Sequence, residues 1–188
     1  MKVITVTKRV ASDKPKHLRN AGIMPCVIYG GELTESAPVQ MEARDAIKLL
    51  EQCRKGSRID IQLEDRIIPA QIKDVERDTV TAAITHIGFQ ALKADQKVNS
   101  VVHVILKNVD KVTGSLERMQ LEIAYSAFPT DMIDTIAFDL DGLPIGTVIT
   151  VGDIEELKNA KIELLADSDS IVFRIIEKKI LTAERNAG

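Results

Sequence analysis

The side chains able to do covalent or metal chemistry are few and scattered along this sequence. The histidines, His17, His86 and His103, form no HxH or HxxxH pair, and Cys26 and Cys53 have no CxxC neighbour. The spacing that builds a local zinc site is therefore missing. Cys26 falls in an apolar strand pattern and Cys53 on an apolar helix face, where a thiol acts as a small hydrophobe. No GxSxG, P-loop or GxGxxG pattern occurs, which removes the usual signatures of a nucleophile elbow or a phosphate cradle. Asp139 and Asp141 make a carboxylate pair, but they flank a turn at Gly142, where such acceptors serve the backbone rather than acid–base catalysis. The chain reads as no enzyme: no catalytic residue, metal, cofactor or small-molecule substrate is expected.

What remains is charge. Across 188 residues the net charge is −3, and it is unevenly placed. Residues 1–92 carry 14 Lys and Arg against 12 Asp and Glu, and residues 93–188 carry 11 against 16. The first 31 residues hold Lys2, Lys8, Arg9, Lys14, Lys16 and Arg19 against Asp13 alone. A basic patch on an acidic protein suggests an anionic partner at that end, with a solvated lysine-rich surface as the alternative. Aromatic residues make up 3% of the chain, without Trp, so a stacking platform for single strands is poorly supplied. No apolar run reaches the roughly 20 residues of a membrane span. Residues 1–6 alternate rather than forming the apolar block of a secretion signal. With two cysteines and no disulfide framework, a cytoplasmic location is expected.

The elements that must position these residues are mostly strands. Val3 to Thr7 is β-branched, and Pro25 to Tyr29 is apolar and closed by Gly30-Gly31. Ile59, Ile61 and Leu63 alternate with polar neighbours, and a turn at Asp65-Arg66 leads into Ile67–Ile72. Pro69 predicts an edge or a bulge in that strand. Residues 14–21 read as a short helix capped by Ser12 or Asp13 and ended by Gly22. Ala43, Ala46, Ile47, Leu50 and Cys53 define one helical face over 42–54, stopped at Gly56. A strand is expected over 82–92. After a polar break at 93–97, further strands are expected over 98–106, 121–127, 135–140, 147–151 and 171–176. The fold class is mainly β: an N-terminal β-barrel with short helices over 1–93, a second β-rich unit over 94–180, and a flexible tail over 181–188.

Two stretches carry more than composition. Residues 16–31, from Lys16-His17-Leu18-Arg19 through Pro25 to Tyr29-Gly30-Gly31, resemble the basic-helix, Pro, strand, Tyr-Gly signature of the bacterial large-subunit ribosomal proteins that bind 5S rRNA. Ile72-Lys73-Asp74-Val75-Glu76-Arg77-Asp78, followed by His86-Ile87-Gly88-Phe89, is similar to that family's second motif. Gly114–Glu117, Pro129–Asp131, Phe138–Leu140, Leu143–Gly146 and Val151–Asp153 resemble the appended domain of the long form, called general stress protein CTC. The resemblance implies a barrel that holds 5S rRNA within the large ribosomal subunit. The chain departs from the pattern in four places, the first being Lys16 and His17 where two Arg usually open the helix. Ala11–Pro15 replaces a Gly-Lys-Gly loop, Glu76 stands where Gln is usual, and Gly88 where Asp is usual.

RNA recognition needs cations for phosphates and fixed polar groups for base edges. Arg9, Lys14, Lys16 and Arg19 are the candidates for the first role, with Lys16 and Arg19 on one helix face. Tyr29, Glu76 and His86 are candidates for the second, with Lys73 and Arg77 beside them. A paralogue of the same fold that acts as a stress or protein-interaction factor, with weakened RNA binding, is the alternative reading. It is motivated by the lost Gly-Lys-Gly loop and the changes at Glu76 and Gly88.

Overall fold

Alternation of apolar and polar residues builds the first half of the molecule. The computed structural model describes residues 2–10, 12–159 and 161–178; the tail expected at 181–188 lies outside them. In order come β1 (Val3–Lys8), α1 (Pro15–Asn20), β2 (Ile23–Tyr29), β3 (Ala37–Glu42), α2 (Ala43–Gln52), β4 (Arg58–Leu63), β5 (Arg66–Arg77) and β6 (Ile84–Ala91). The strands close into a barrel in the order β1-β3-β2-β6-β5-β4, with β1 parallel to β4 and β2 parallel to β6. Residues one apart on a strand face opposite sides, so Ile4, Val6, Cys26, Ile28, Ile59, Ile61, Ile72, Ile87 and Phe89 fill the interior. Ala46 and Leu49 of α2 join the same core.

Several local expectations shift. Neither Ser12 nor Asp13 caps α1; Lys14 takes the cap position and no side chain bonds there. Helix α2 ends at Gln52 with an extended Cys53, before Gly56. Gly56 instead sits at φ +88 in the turn that leads into β4. Leu49 is fully buried while Ile47 is exposed, so the buried face of α2 is rotated from the one expected. Pro69 lies inside a closed barrel and carries no bulge. It is tolerated because it lies just past the end of β6, where its carbonyl accepts from the Leu92 N–H and no N–H of its own is used in the β5–β6 ladder. The register breaks fall further along, between Ile72 and Asp74 and between Glu76 and Arg77.

The second half contains β7 (Val98–Lys107), β8 (Ser115–Arg118), β9 (Glu122–Ala127), β10 (Thr135–Asp139), β11 (Val148–Thr150), β12 (Glu163–Leu164) and β13 (Ile171–Ile176). They form one sheet in the order β10-β7-β9-β12 and another in the order β11-β13-β8. Ile123, Tyr125, Ile136, Val172 and Phe173 share a separate core. Phe138 meets Phe173 edge-on with ring centroids 5.6 Å apart. The Tyr125 hydroxyl donates to the Ile133 carbonyl at 2.9 Å and accepts from the Ile133 N–H at 2.8 Å. The Asp139 carboxylate accepts from the Asp141 N–H and the Asn108 amide, the turn role its spacing suggested.

The barrel and the second half meet through backbone carbonyls. Ser100 Oγ donates to Gly56 O, His103 Nε2 lies 2.7 Å from Lys55 O, and Arg58 donates to Pro129 O. Buried Gln71 gives its amide to Gln90 Oε1 and Asn99 O.

Candidate nucleic-acid interface

The register of three adjacent strands assembles the second motif. Val27 pairs with Gly88, Asp74 pairs with Gly88, and Glu76 pairs with His86. With Ile72, Ile87 and Phe89 buried inside, Asp74, Glu76 and His86 stand on the outer side of the barrel wall. The bulge at Lys73 makes this possible. Ile72 and Val75 both pack on the core although they are three apart, and the extra residue resets the phase for Asp74 and Glu76.

Arg19, Glu76, Arg77 and His86 line one hollow of about 550 Å³ together with Pro15 and Pro25. Arg19 crosses from α1 to donate to the Thr85 carbonyl at 3.3 Å, and Arg77 donates to the Ala82 carbonyl at 3.3 Å. A guanidinium has five N–H donors, so both retain donors for an anion while their forks are held in place. Lys14 and Lys16 are exposed on and just before α1, next to this hollow in sequence.

Tyr29 ends β2 further along the same wall. Its hydroxyl lies 3.4 Å from Asp74 Oδ2. Burial first, and then the Asp74 carboxylate, push the phenol above its usual range, so it stays protonated and can donate. A Cβ added to Gly88 would lie 3.5 Å from Asp74 Cβ and 3.8 Å from Tyr29 Cε1. Gly88 is thus covered by Asp74 and Tyr29. Asp74 was not among the expected site residues; the signal for it is the apolar pair Ile72 and Val75, whose odd spacing marks the bulge.

Two candidates are placed differently from the rest. Lys73 Nζ donates to the Asn99 carbonyl at 2.8 Å, and burial holds its ammonium below the usual lysine range. It belongs to the seam with the second half. Arg9 continues from β1, donates to the Asp13 carbonyl at 3.4 Å and keeps a buried Nε without a protein partner. Among the described residues no cluster of three or more His, Cys, Asp or Glu has metal-binding geometry.

The Ribosomal L25p family profile matches residues 4–89, and that of the ribosomal protein TL5 C-terminal domain matches residues 97–179. The chain is similar to the large ribosomal subunit protein bL25 of Caldanaerobacter subterraneus subsp. tengcongensis, 26% identical over 93% of this chain and 88% of that one. It is also similar to the bL25 of Halothermothrix orenii, 29% identical over 91% and 79%, and to that of Dictyoglomus thermophilum, 28% identical over 94% and 88%. The order of the two matches, the barrel and the placement of both motifs agree: the chain belongs to the ribosomal L25p family, in the long form that carries a TL5-type C-terminal domain.

Proposed function

We propose that this chain is a structural, non-enzymatic protein of the large ribosomal subunit in the cytoplasm, and that it binds 5S rRNA through α1 and the outer wall of β2, β6 and β5. The observation that carries this reading is the hollow in which Arg19, Glu76, Arg77 and His86 converge from three elements. Residues 1–93 form the RNA-binding unit and residues 94–180 a second β-rich unit, in keeping with the separate family matches at 4–89 and 97–179.

Each group has a distinct part. Lys14, Lys16, Arg19 and Arg77 meet phosphates, with Arg9 at the edge of the site. Cations at this density fix register on the RNA without reading sequence. The Tyr29 hydroxyl and the His86 imidazole meet base edges. Glu76 can only accept, so a base acceptor opposite it finds no donor there. Lys73, already bonded to Asn99 O, contributes charge at longer range. The A-form major groove excludes side chains, so the contact requires an internal loop or another irregular segment.

A titration of the full chain against 5S rRNA at two salt concentrations tests the reading. Saturable binding that weakens with salt, and loses at least tenfold when Arg19 and Arg77 are both changed to Ala, is the expected outcome. Equal affinity for 5S rRNA and an unrelated RNA of the same length would sink it.

A further inference from the structure

Ile47 lies on the helical face that periodicity assigns to the core, yet it is 50% exposed. With Ile23, Met24, Ala83 and Ile84 it lines an apolar groove of about 590 Å³ between α1, α2 and the β5–β6 hairpin. That volume lies in the range of sites that enclose small organic groups. Arg19 and Arg77 also line this groove, and with Thr85 they line the polar hollow that holds Glu76 and His86. The two concavities therefore share a wall of Arg19, Arg77, Asp78 and Thr85, whose two guanidiniums outnumber its one carboxylate.

An occupant must match both features, apolar surface for the floor and negative charge for the wall. An aliphatic protein side chain meets the first and leaves the two guanidiniums without an anion. A nucleotide meets both, because its base has an apolar face and its phosphates lie on either side. The arginines are already oriented by the Thr85 and Ala82 carbonyls, so little side-chain freedom is lost on binding. Asp78 adds an acceptor. Its Oδ1 receives the Val80 N–H, the Thr81 N–H and the Thr81 hydroxyl, and these bonds hold the carboxylate below its usual range, leaving Oδ2 for a base amino group or a ribose hydroxyl.

We propose that this groove receives one unstacked nucleobase of the bound RNA, its face against Ile47 and its flanking phosphates on Arg19 and Arg77. The assignment rests on the RNA-binding reading above and extends it around the shared wall. Bases splayed from loops are the usual targets of sequence-specific RNA binders.

The test uses the full chain and a 5S rRNA transcript, with Ile47→Gln and Ala83→Leu as two independent changes at exposed positions. The first makes the floor polar; the second fills the groove. Each is expected to weaken binding five- to fiftyfold, with a salt slope shallower by no more than about the two phosphates that flank the expelled base. Dimethyl sulfate and carbodiimide probing should show one base that the unaltered protein shields and that both variants reopen, while the rest of the footprint stays. Unchanged affinity and footprint in both variants would overturn the groove assignment and leave RNA binding intact. So would variants that bind RNA normally but lose a ribosomal protein partner, since the occupant would then be a protein. Failure of the unaltered chain to bind 5S rRNA would overturn the wider reading, and this one with it.

Discussion

Two carboxylates, Asp74 and Glu76, and the glycine at position 88 decide what the outer wall of the barrel can read. Asp74 already lies over Gly88, within ordinary contact of where a Cβ would stand. Changing Gly88 to Asp would set a second carboxylate beside it, and two like charges at that range cannot both stay ionised without penalty. Glu76 has no such neighbour across the ladder, since it faces His86. The two changes toward the family pattern should therefore differ. Glu76→Gln should tighten 5S rRNA binding by about 1 kcal/mol or more, on the scale of one base-edge contact, whereas Gly88→Asp should give no gain. Calorimetric titration of the two single variants checks this; equal gains would show that Asp74 does not fill the space over Gly88. The cysteines allow a separate check at the same scale. Burial pushes the Cys26 thiol up to about 12, so at pH 8 roughly one molecule in ten thousand carries the thiolate. Iodoacetamide at that pH should leave Cys26 unmodified in the folded chain and label it after denaturation, with Cys53 reacting first. Mass spectrometry of the peptides reads the order.

Elements were legible where one physical signal dominated. The alternation of Ile59, Ile61 and Leu63 fixes β4 and its buried side, and all three are buried in the barrel. Short strands with weak alternation, β8 and β12, were not foreseen, because their pairing depends on partners distant in sequence. Helix α2 was expected in nearly the right place, and Ala46, Leu50 and Cys53 of the expected face do pack on the core, but Leu49 is inward and Ile47 is not. Periodicity reports that a stripe exists, but the choice between Leu49 and Ile47 is made by the barrel end on which the helix rests. The candidate site was partly legible for the same reason. Short motifs placed Arg19, Glu76, Arg77 and His86, but the shared wall with the apolar groove needed the hairpin and α1 in three dimensions. Gly56 shows the converse, a residue whose local role was misread and whose tertiary role is strict. Its φ is +88, and a Cβ there would stand 2.4 Å from the Val101 carbonyl and 2.8 Å from Ser100 Oγ. Gly56→Ala should cost about 2 kcal/mol or more, combining the left-handed penalty with displacement of β7. Denaturant unfolding measures the loss. Faster tryptic cleavage at Lys93 or Lys97 in the native variant would locate it at the seam; unchanged cleavage would mean that the barrel turn alone absorbs the strain.

At the scale of the whole molecule, charge is divided as the two halves are. The candidate cations Arg9, Lys14, Lys16, Arg19 and Arg77 all belong to the barrel, while residues 93–188 carry five more acidic than basic side chains. The acidic half is joined to the basic barrel through Lys55, Gly56, Arg58 and Gln71. It lowers the long-range attraction for any polyanion but leaves short-range contacts with the correct one in place, so it favours discrimination over affinity. If four to five cations each neutralise about one phosphate, log affinity for 5S rRNA should fall with log salt at a slope of roughly −3 to −4.5. Lys16 and Arg19 changed together to Ala should make the slope shallower, and the same change at Lys158 and Lys161 should not. A chain ending at Lys93 keeps every candidate cation and the closed barrel, so it should bind 5S rRNA within a few-fold of the full chain and with the same slope. Its affinity for an unrelated RNA should rise, because the acidic half no longer opposes that encounter. The ratio of the two affinities, measured at one salt concentration for both chains, is the decisive quantity. It should fall on truncation. A ratio that stays constant would mean that the second half acts only through its own contacts and not through its charge.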